Sequence, residues 1–367
     1  MPQTGEPTTD DDYECRPAAL DRDRDAFLSL YRTVWGRTRR PAWFDWRFRD
    51  NPVGDARITV VTDGDGVVGA EACLPYRLRE GDRTLLALQP VDWIVHPDHR
   101  KRGLARRMTE RRIEADADAD LYFNFPTDAL QPLLFDLGWR VVGEQTTFYR
   151  LQDPATVGRL GGDSTVASVL GRLSAPLAKG YLRASDWRTS GGEDVTVERH
   201  ASPPADELAR LHRRHRPAEI HVDRDAAYYR WRFANPRWDC QSYLARRDGE
   251  VVAALVTCSE AVGGVRVTRL AEALPLVDGP TDAFAALVAA AVEDHRQADV
   301  LKTTAGTLPP SVLRHCGFRS DDGALVARVA TKTTHVVRPL ADDWTPGDVP
   351  LDEQTAWRLA FAETDIA

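Results

Sequence analysis

The residue types best suited to chemistry lie in the basic segment Arg100-Lys101-Arg102-Gly103-Leu104-Ala105. The apolar run at residues 91–95 predicts a strand before this segment, and the helix formers from Leu104 onward predict a helix after it. Because Gly103 and Ala105 have small side chains, backbone N–H groups at the helix N-terminus can converge on an anion, and the helix dipole and three cations strengthen the attraction. Residues 100–105, which we call the cradle, therefore predict a pyrophosphate-binding site.

Composition limits the function classes. The chain has 367 residues, which favours two domains, and a formal charge of −8 with few lysines, which argues against nucleic-acid binding. The longest apolar run, residues 283–292, is too short to span a bilayer, and the N-terminus is polar, so we expect a cytoplasmic protein without a membrane partner. Five scattered cysteines predict reduced thiols rather than a disulfide framework or a zinc site.

The elements around the cradle are predicted from hydrophobic periodicity and turn residues. We expect helices beginning at Asp21 and spanning residues 130–137. Strands are expected at residues 13–16, 57–62, 67–74, 84–88, 91–95 and 121–125. A hairpin of residues 141–142 and 146–151 is expected to complete the first domain.

The pattern Arg-x-x-Gly-x-Ala between a strand and a helix resembles the acetyl-CoA loop of the GNAT N-acetyltransferase superfamily. The resemblance implies an α/β (α+β) fold with a mixed, mostly antiparallel twisted sheet flanked by helices. It also implies acetyl-CoA as acyl donor, with no metal, and direct attack of an amine on the thioester. A small-molecule amine, such as an amino sugar or a polyamine, is the implied acceptor.

The second half of the chain repeats motifs of the first in the same order. The run Trp-Arg-Phe-Arg-Asp-Asn-Pro at residues 46–52 is echoed by Trp-Arg-Phe-Ala-Asn-Pro at residues 231–236. At the position of the cradle the second half has neither an arginine nor Gly-x-Ala, so we interpret it as a degenerate GNAT-like copy. The predicted organisation is a disordered N-terminus (1–12), an acetyltransferase domain (13–152), a linker with an amphipathic helix (153–194), a degenerate domain (195–340) and a C-terminal tail (341–367).

The resemblance assigns the donor-binding residues to the end of the strand and to the loop. Thr127 is added because it stands where one subgroup of the family has asparagine. The candidate cofactor-binding residues are Trp93, Ile94, Val95, Arg100, Lys101, Arg102, Gly103, Leu104, Ala105, Arg106 and Thr127.

The catalytic groups depart from the family pattern. The family's usual glutamate falls at Gln89 and its usual tyrosine at Leu134, and neither residue can act as a base or an acid. The candidate catalytic residues are therefore Asp92, His96 and Glu71. An aspartate within an apolar strand must face the cleft or an arginine, so Asp92 is either a proton acceptor or half of an ion pair.

Two other functions remain open. A non-catalytic acyl-CoA-binding or regulatory protein fits the missing glutamate and tyrosine, and a Fem-like aminoacyl transferase shares the tandem arrangement. A histidine group at His212, His215 and His221 could bind a metal, although the arginines around it favour a solvated basic face and we predict no metal site. The sequence does not identify the acceptor or the oligomeric state.

Overall fold

The structure is a computed structural model that describes residues 13–64, 66–152, 194–322 and 333–364. The expected disordered N-terminus and the expected linker helix around residues 166–177 lie outside the described residues.

Residues 13–152 contain a helical pair, a meander of long strands, the cradle and a shorter α/β part. In chain order the elements are β1 (Glu14–Pro17), α1 (Leu20–Trp35), α2 (Pro41–Phe48), β2 (Arg57–Thr62), β3 (Val67–Glu80), β4 (Arg83–Val95), α3 (Leu104–Ala115), β5 (Leu121–Asn124), α4 (Gln131–Asp136), β6 (Arg140–Gln145) and β7 (Thr147–Leu151). The two strands expected at residues 84–88 and 91–95 are one strand, β4, which continues through Pro90. The start of α1 also differs from expectation, since Asp23 rather than Asp21 accepts the Ala19 N–H.

The second half follows a similar order. Its elements are β8 (Thr196–His200), α5 (Ala205–Arg214), β9 (His221–Val222), α6 (Ala226–Arg232), β10 (Asp239–Arg247), β11 (Glu250–Val262), β12 (Val265–Leu274), α7 (Thr281–Asp294), β13 (Val300–Thr304), α8 (Pro310–His315), β14 (Arg319–Ser320) and β15 (Thr333–Pro339). The turn after α4 and the turn after α8 are built alike. Gly138 and Gly317 both have positive φ, at 90° and 84°, and in each case the next N–H returns to a leucine carbonyl in the helix.

Two mixed sheets form the molecule. The first sheet has the order β1-β2-β3-β4-β5-β15-β6, with β9 added beside β3, and the second has the order β14-β7-β13-β12-β11-β10-β8. In the first sheet α3 covers one face, where Met108 packs with Val61, and α1 covers the other, where Phe27 packs in the cluster that contains Val60. The alternation of neighbouring residues along β2 produces this separation of the two faces.

The two sheets exchange one strand each. β7 leaves the first half to pair with β13 and β14, and β15 returns from the second half to lie between β5 and β6. The expectation that residues 141–151 form a hairpin completing the first domain is therefore wrong. β6 and β7 are consecutive in the chain but belong to different sheets, because β6 pairs with β15 in the first sheet and β7 pairs with β13 and β14 in the second.

The repeated Trp-Arg-Phe motifs meet where the two halves pack together. Trp46 Nε1 donates to the Trp231 carbonyl at 2.6 Å, and Trp231 Nε1 donates to the Trp46 carbonyl at 2.8 Å. The two indole rings are stacked, with centroids 6.3 Å apart. Both side chains are buried in one hydrophobic cluster that contains residues of both halves. The motif thus joins the two halves to each other.

Residues 357–364, which we call the C-terminal segment, also contact both halves. The Gln89 side-chain amide donates to the Glu363 carbonyl at 2.7 Å, and Arg232 Nε donates to the Ala362 carbonyl at 2.7 Å. The C-terminal segment therefore packs between the two halves.

One pair of cysteines departs from expectation. Cys240 and Cys258 lie opposite each other on the antiparallel strands β10 and β11, with Cα atoms 4.2 Å apart, and form a disulfide. Among the described residues Cys15, Cys73 and Cys316 do not form a disulfide. The prediction of reduced cysteines is wrong for Cys240 and Cys258, because sequence spacing does not show which strand positions face each other.

Candidate active site

The cradle links the end of β4 to α3 through left-handed backbone. Lys101 has φ 60° and Gly103, which directly precedes α3, has φ 73°. A Cβ atom placed on Gly103 would meet no atom within 4 Å, so the surface above this glycine is open. The first N–H groups of a helix have no partner within the helix, and here they lie beside this open surface. The local structure therefore suits an anion.

The cations around the cradle differ in their freedom. Arg100 Nε donates to the Val95 carbonyl at 3.2 Å, which ties this side chain to the end of β4. Arg106 is 2.9 Å from Asp136 and 3.6 Å from Glu110, so its charge is already balanced. Lys101 and Arg102 are exposed on the loop. Of the predicted cations, Arg106 is thus the least available for a pyrophosphate.

A notch opens between β4 and β5 directly before the cradle. The two parallel strands pair only at Ala87–Leu121 and Leu88–Tyr122, although β4 continues to Val95. Over residues 89–95, β4 is paired with β3 on one edge and with no strand of the described chain on the other. The main chain at Trp93 and Ile94 can therefore hydrogen-bond a ligand that enters the notch.

A bulge on β4 marks the middle of this unpaired stretch. Ala72 pairs with Val91 and Ala70 with Ile94, so Asp92 and Trp93 together oppose Glu71. A bulge changes the direction in which side chains leave a strand. Asp92, within this bulge, has a left-handed backbone with φ 52°.

Asp92 forms a buried ion pair with the repeated motif of the first half. Arg47 Nε lies 2.8 Å from Asp92 Oδ2, and the two side chains are 3% and 10% exposed. α2 carries Arg47 on the face of the first sheet that packs against the second half. Arg47 was not predicted as a site residue, although an aspartate in an apolar strand was expected to face the cleft or an arginine.

Glu71 lies on the opposite face, beneath α3. Its carboxylate accepts a hydrogen bond from Thr109 Oγ1 at 2.9 Å, and Trp93 Nε1 lies 3.2 Å from the same hydroxyl. Burial raises the pKa of Glu71 to about 7, against the lowering effect of Arg112 and the Thr109 hydrogen bond. Glu71 is therefore a buried carboxyl group that supports the helix after the cradle.

The three predicted catalytic residues do not converge on one point. Asp92 contacts α2 on one face of the sheet, and Glu71 contacts α3 on the other. His96 follows the end of β4, where its Nδ1 lies 3.4 Å from the Asp98 N–H. Only Asp92 lies both at the bulge and on the face turned toward the second half.

The two positions at which the family pattern fails have structural roles. Gln89 is buried and holds the C-terminal segment through its bond to Glu363. Leu134 is fully buried in the cluster beneath α4. Thr127 is exposed, and its carbonyl accepts the Leu130 and Gln131 N–H groups at the start of α4.

The corresponding loop of the second half is filled. A Cβ atom on Gly279 would collide with the ring of Phe284, which packs onto the loop from α7. Asp282 at the start of α7 forms an ion pair with Arg247. Its carboxylate would repel a phosphate, in contrast to the cations around Gly103.

The notch of the second sheet is occupied as well. β12 and β13 pair in parallel only over residues 267–269 and 300–302, although β12 continues to Leu274. The C-terminal segment lies at this opening. Phe361 N–H donates to Thr307 Oγ1 at 2.7 Å, and a Cβ atom on Gly306 would lie only 2.3 Å from the Leu359 carbonyl oxygen.

The three histidines on and near α5 and β9 do not come together as metal ligands. The rings of His212 and His221 are buried with centroids 5.4 Å apart, while His215 is exposed after the end of α5. Within the described ranges no group of three or more His, Cys, Asp or Glu side chains is placed to hold a metal ion.

Comparison with known families agrees with the geometry of the first half. Residues 14–142 match the family model described as the acetyltransferase (GNAT) domain. This part of the chain is a GNAT domain. No curated protein matches the sequence. The match ends at β6, so the GNAT assignment rests on the half that contains the open cradle and notch.

Solved structures show that the two-sheet fold also occurs elsewhere. A GCN5-related N-acetyltransferase from Anabaena variabilis is 12% identical, with a TM-score of 0.56 over 89% of this chain and 73% of that one. One from Kribbella flavida is 17% identical, with a TM-score of 0.54 over 90% and 72%. A probable N-acyltransferase from Enterococcus faecalis is 11% identical, with a TM-score of 0.58 over 89% and 73%. At these identities the likeness shows the fold alone, and its extent includes both sheets.

Helices of the described residues are too short or too polar to cross a membrane.

Proposed function

We propose that this chain is an acetyl-CoA-dependent N-acyltransferase with its working site in the GNAT domain. The second half is, in this proposal, a GNAT-like copy that has lost its donor site and shapes the acceptor side of the first. A small-molecule amine in the cytoplasm is the proposed acceptor class. The observation that carries the proposal is the continuity of the unpaired β4 edge with the open cradle, which together offer main-chain donors along one path.

The residues present fit an acyl-CoA donor. Space above Gly103 and the N–H groups that begin α3 suit a pyrophosphate. Lys101 and Arg102 supply positive charge beside it, and the main chain of Trp93 to Val95 can hold the pantetheine arm. An acyl-CoA supplies an activated acyl carbon with a thiolate leaving group.

Asp92 is the proposed proton acceptor. In direct transfer the amine nitrogen bonds to the acyl carbon, the carbon–sulfur bond breaks with its electron pair going to sulfur, and the nitrogen loses a proton. Asp92 lies at the bulge, and Arg47 fixes the orientation of its carboxylate. Leu134 cannot protonate the sulfur, but a thiol with a pKa of about 8.5 can leave as a thiolate.

The test is amine-dependent release of free thiol from acetyl-CoA by the full chain, with a panel of amino sugars, polyamines and arylamines. We expect release with at least one class of amine, and loss of that release in Gly103→Glu. That substitution places a side chain and a negative charge in the cradle. Amine-dependent release that persists in Gly103→Glu would contradict the assignment of the donor site.

A non-catalytic acyl-CoA-binding protein is the second candidate. The specific observation in its favour is that both family positions for acid and base, Leu134 and Gln89, are buried in structural roles. Tight acetyl-CoA binding with no thiol release across the amine panel would favour this candidate over the enzyme.

A further inference from the structure

A cavity of about 560 Å³ lies between the halves, at the far end of β3 from the cradle. It is bordered by α5, by the start of α6 and by the residues that follow β9. Five arginines line it: Arg79, Arg210, Arg213, Arg216 and Arg224. Its volume is in the range of sites for small-molecule ligands.

The carboxylates that line this cavity already have partners. Asp223 pairs with Arg79 at 3.2 Å, and Asp206 accepts two hydrogen bonds of 2.9 Å from Arg230. Asp225 caps α6 by accepting the Tyr228 N–H at 2.7 Å. These three carboxylates are therefore committed to other groups.

The arginine on the floor of the cavity is balanced in the same way. Arg224 is fully buried, with Nε 2.9 Å from Glu272 and Nη2 2.7 Å from Glu363. Two carboxylates thus balance the charge of Arg224, which forms the floor of the cavity and adds no unpaired positive charge to it.

The remaining three arginines are uncompensated. Arg210, Arg213 and Arg216 are exposed, and in the part of the chain that the structure describes none of them has an ion-pair or hydrogen-bond partner. Three unpaired positive charges thus surround one cavity in a protein with a net charge of −8. This local cluster of positive charge in an acidic protein favours the binding of a specific anion at the cavity over non-specific attraction of anions to the whole surface.

The positive field extends into the protein beneath the cavity. The pKa of His212 is lowered, first by burial and then by the charges of Arg224 and Arg216. The pKa of His221 is lowered to about 4, first by burial and also by the charges of Arg224 and Arg216, against the raising effects of the Glu219 carbonyl and Asp223. The positive charges of Arg224 and Arg216 therefore act on both imidazoles.

We propose that this cavity binds a small molecule with a phosphate or pyrophosphate group. Guanidinium groups match the geometry of phosphate oxygens, and Arg210, Arg213 and Arg216 surround the opening with donors that have no protein acceptor. The site is separate from the cradle. Arg79 lies seven residues along β3 from Ala72, the partner of Val91, which is about 23 Å at the rise of a strand. The proposal does not depend on acyl transfer.

The test is calorimetric titration of the full chain with inorganic pyrophosphate in the Gly103→Glu background, which removes the cradle as a competing site. We expect one remaining site. Combining Arg213→Gln with Arg216→Gln should weaken that site at least about tenfold, since each substitution removes a charge-assisted hydrogen-bond donor. Restoring charge with Arg213→Lys and Arg216→Lys should recover part of the affinity.

The matched control is Arg37→Gln with Arg266→Gln, which removes two exposed positive charges away from the cavity. This pair should leave pyrophosphate affinity unchanged. Equal weakening by both pairs, or no remaining site in the Gly103→Glu background, would overturn the proposal. So would binding of polyglutamate without binding of pyrophosphate, because that result would indicate an acidic protein partner.

Discussion

The two halves have the same kind of opening beyond a short parallel strand pair, and they fill it differently. In the first half β4 continues past its pairing with β5 and leads into an open cradle at Gly103. In the second half the C-terminal segment lies at the notch, and the Phe284 ring covers the loop. Shared strand order thus does not give shared binding capacity, because the side chains and the chain end decide whether the opening is free.

The repeated arginines show the same divergence. Arg47 and Arg232 follow equivalent tryptophans that bond to each other across the interface. Arg47 holds a carboxylate at the bulge of β4, whereas Arg232 holds a main-chain carbonyl of the C-terminal segment. One copy of the motif therefore positions the proposed proton acceptor, and the other anchors the segment that lies at the second notch.

The largest expected effect concerns the contact that the halves share. Trp46→Ala and Trp231→Ala should each lower the free energy of unfolding by about 3–5 kcal/mol, since each removes a buried indole and its hydrogen bond. The double variant should cost less than the sum, because both substitutions remove the same contact. Denaturant unfolding of the four proteins measures this. Strictly additive costs would show that the two tryptophans act independently in their own halves.

The next effect distinguishes a proton acceptor from a structural ion pair at Asp92. We expect Asp92→Asn to lower kcat about 100-fold while KM for acetyl-CoA changes little, since a general base contributes on that order. Asp92→Glu should restore part of kcat. A loss of thermal stability with unchanged kcat in the folded fraction would show that Asp92 only balances Arg47.

The third prediction concerns Glu71, the buried carboxyl group beneath α3. Its folded pKa of about 7 lies above the ordinary value of 4.5 because the carboxyl group is buried, so the folded state binds a proton more tightly than the unfolded state. Stability from this group is fully present below pH 4.5 and is lost as the pH rises through 7. The loss amounts to up to about 3 kcal/mol.

Glu71→Gln should remove this part of the pH dependence. Unfolding of the wild type and of the variant at pH 4.5 and pH 7.5 measures the difference. A variant with the same loss of stability between the two pH values as the wild type would show that other groups cause it.

The cradle and its strand could be predicted from the sequence because they form one local pattern. Gly103 requires a left-handed backbone, and the residues on either side fix the strand and the helix. The strand exchange could not be predicted, since β7 and β15 have the apolar character of any sheet strand and nothing in them specifies which sheet they join. For Asp92 the sequence predicted the residue type of its partner, an arginine, but not which arginine it is. Its partner Arg47 lies 45 positions away in sequence, and packing of α2 selects it.

The difference between the two halves is tested most directly by counting acetyl-CoA sites per chain by calorimetry, in the wild type and in two glycine variants. Gly103 and Gly249 both have positive φ and open space around them, at 73° and 81°, so Gly103→Glu and Gly249→Glu introduce similar backbone strain and the same charge. Each protein also carries Arg213→Gln and Arg216→Gln, because the pyrophosphate of acetyl-CoA suits the arginine-lined cavity as well. On this background we predict one site without a glycine substitution, one with Gly249→Glu and none in the folded Gly103→Glu protein. Two sites without a glycine substitution, or a retained site with Gly103→Glu, would contradict a single donor site in the first half.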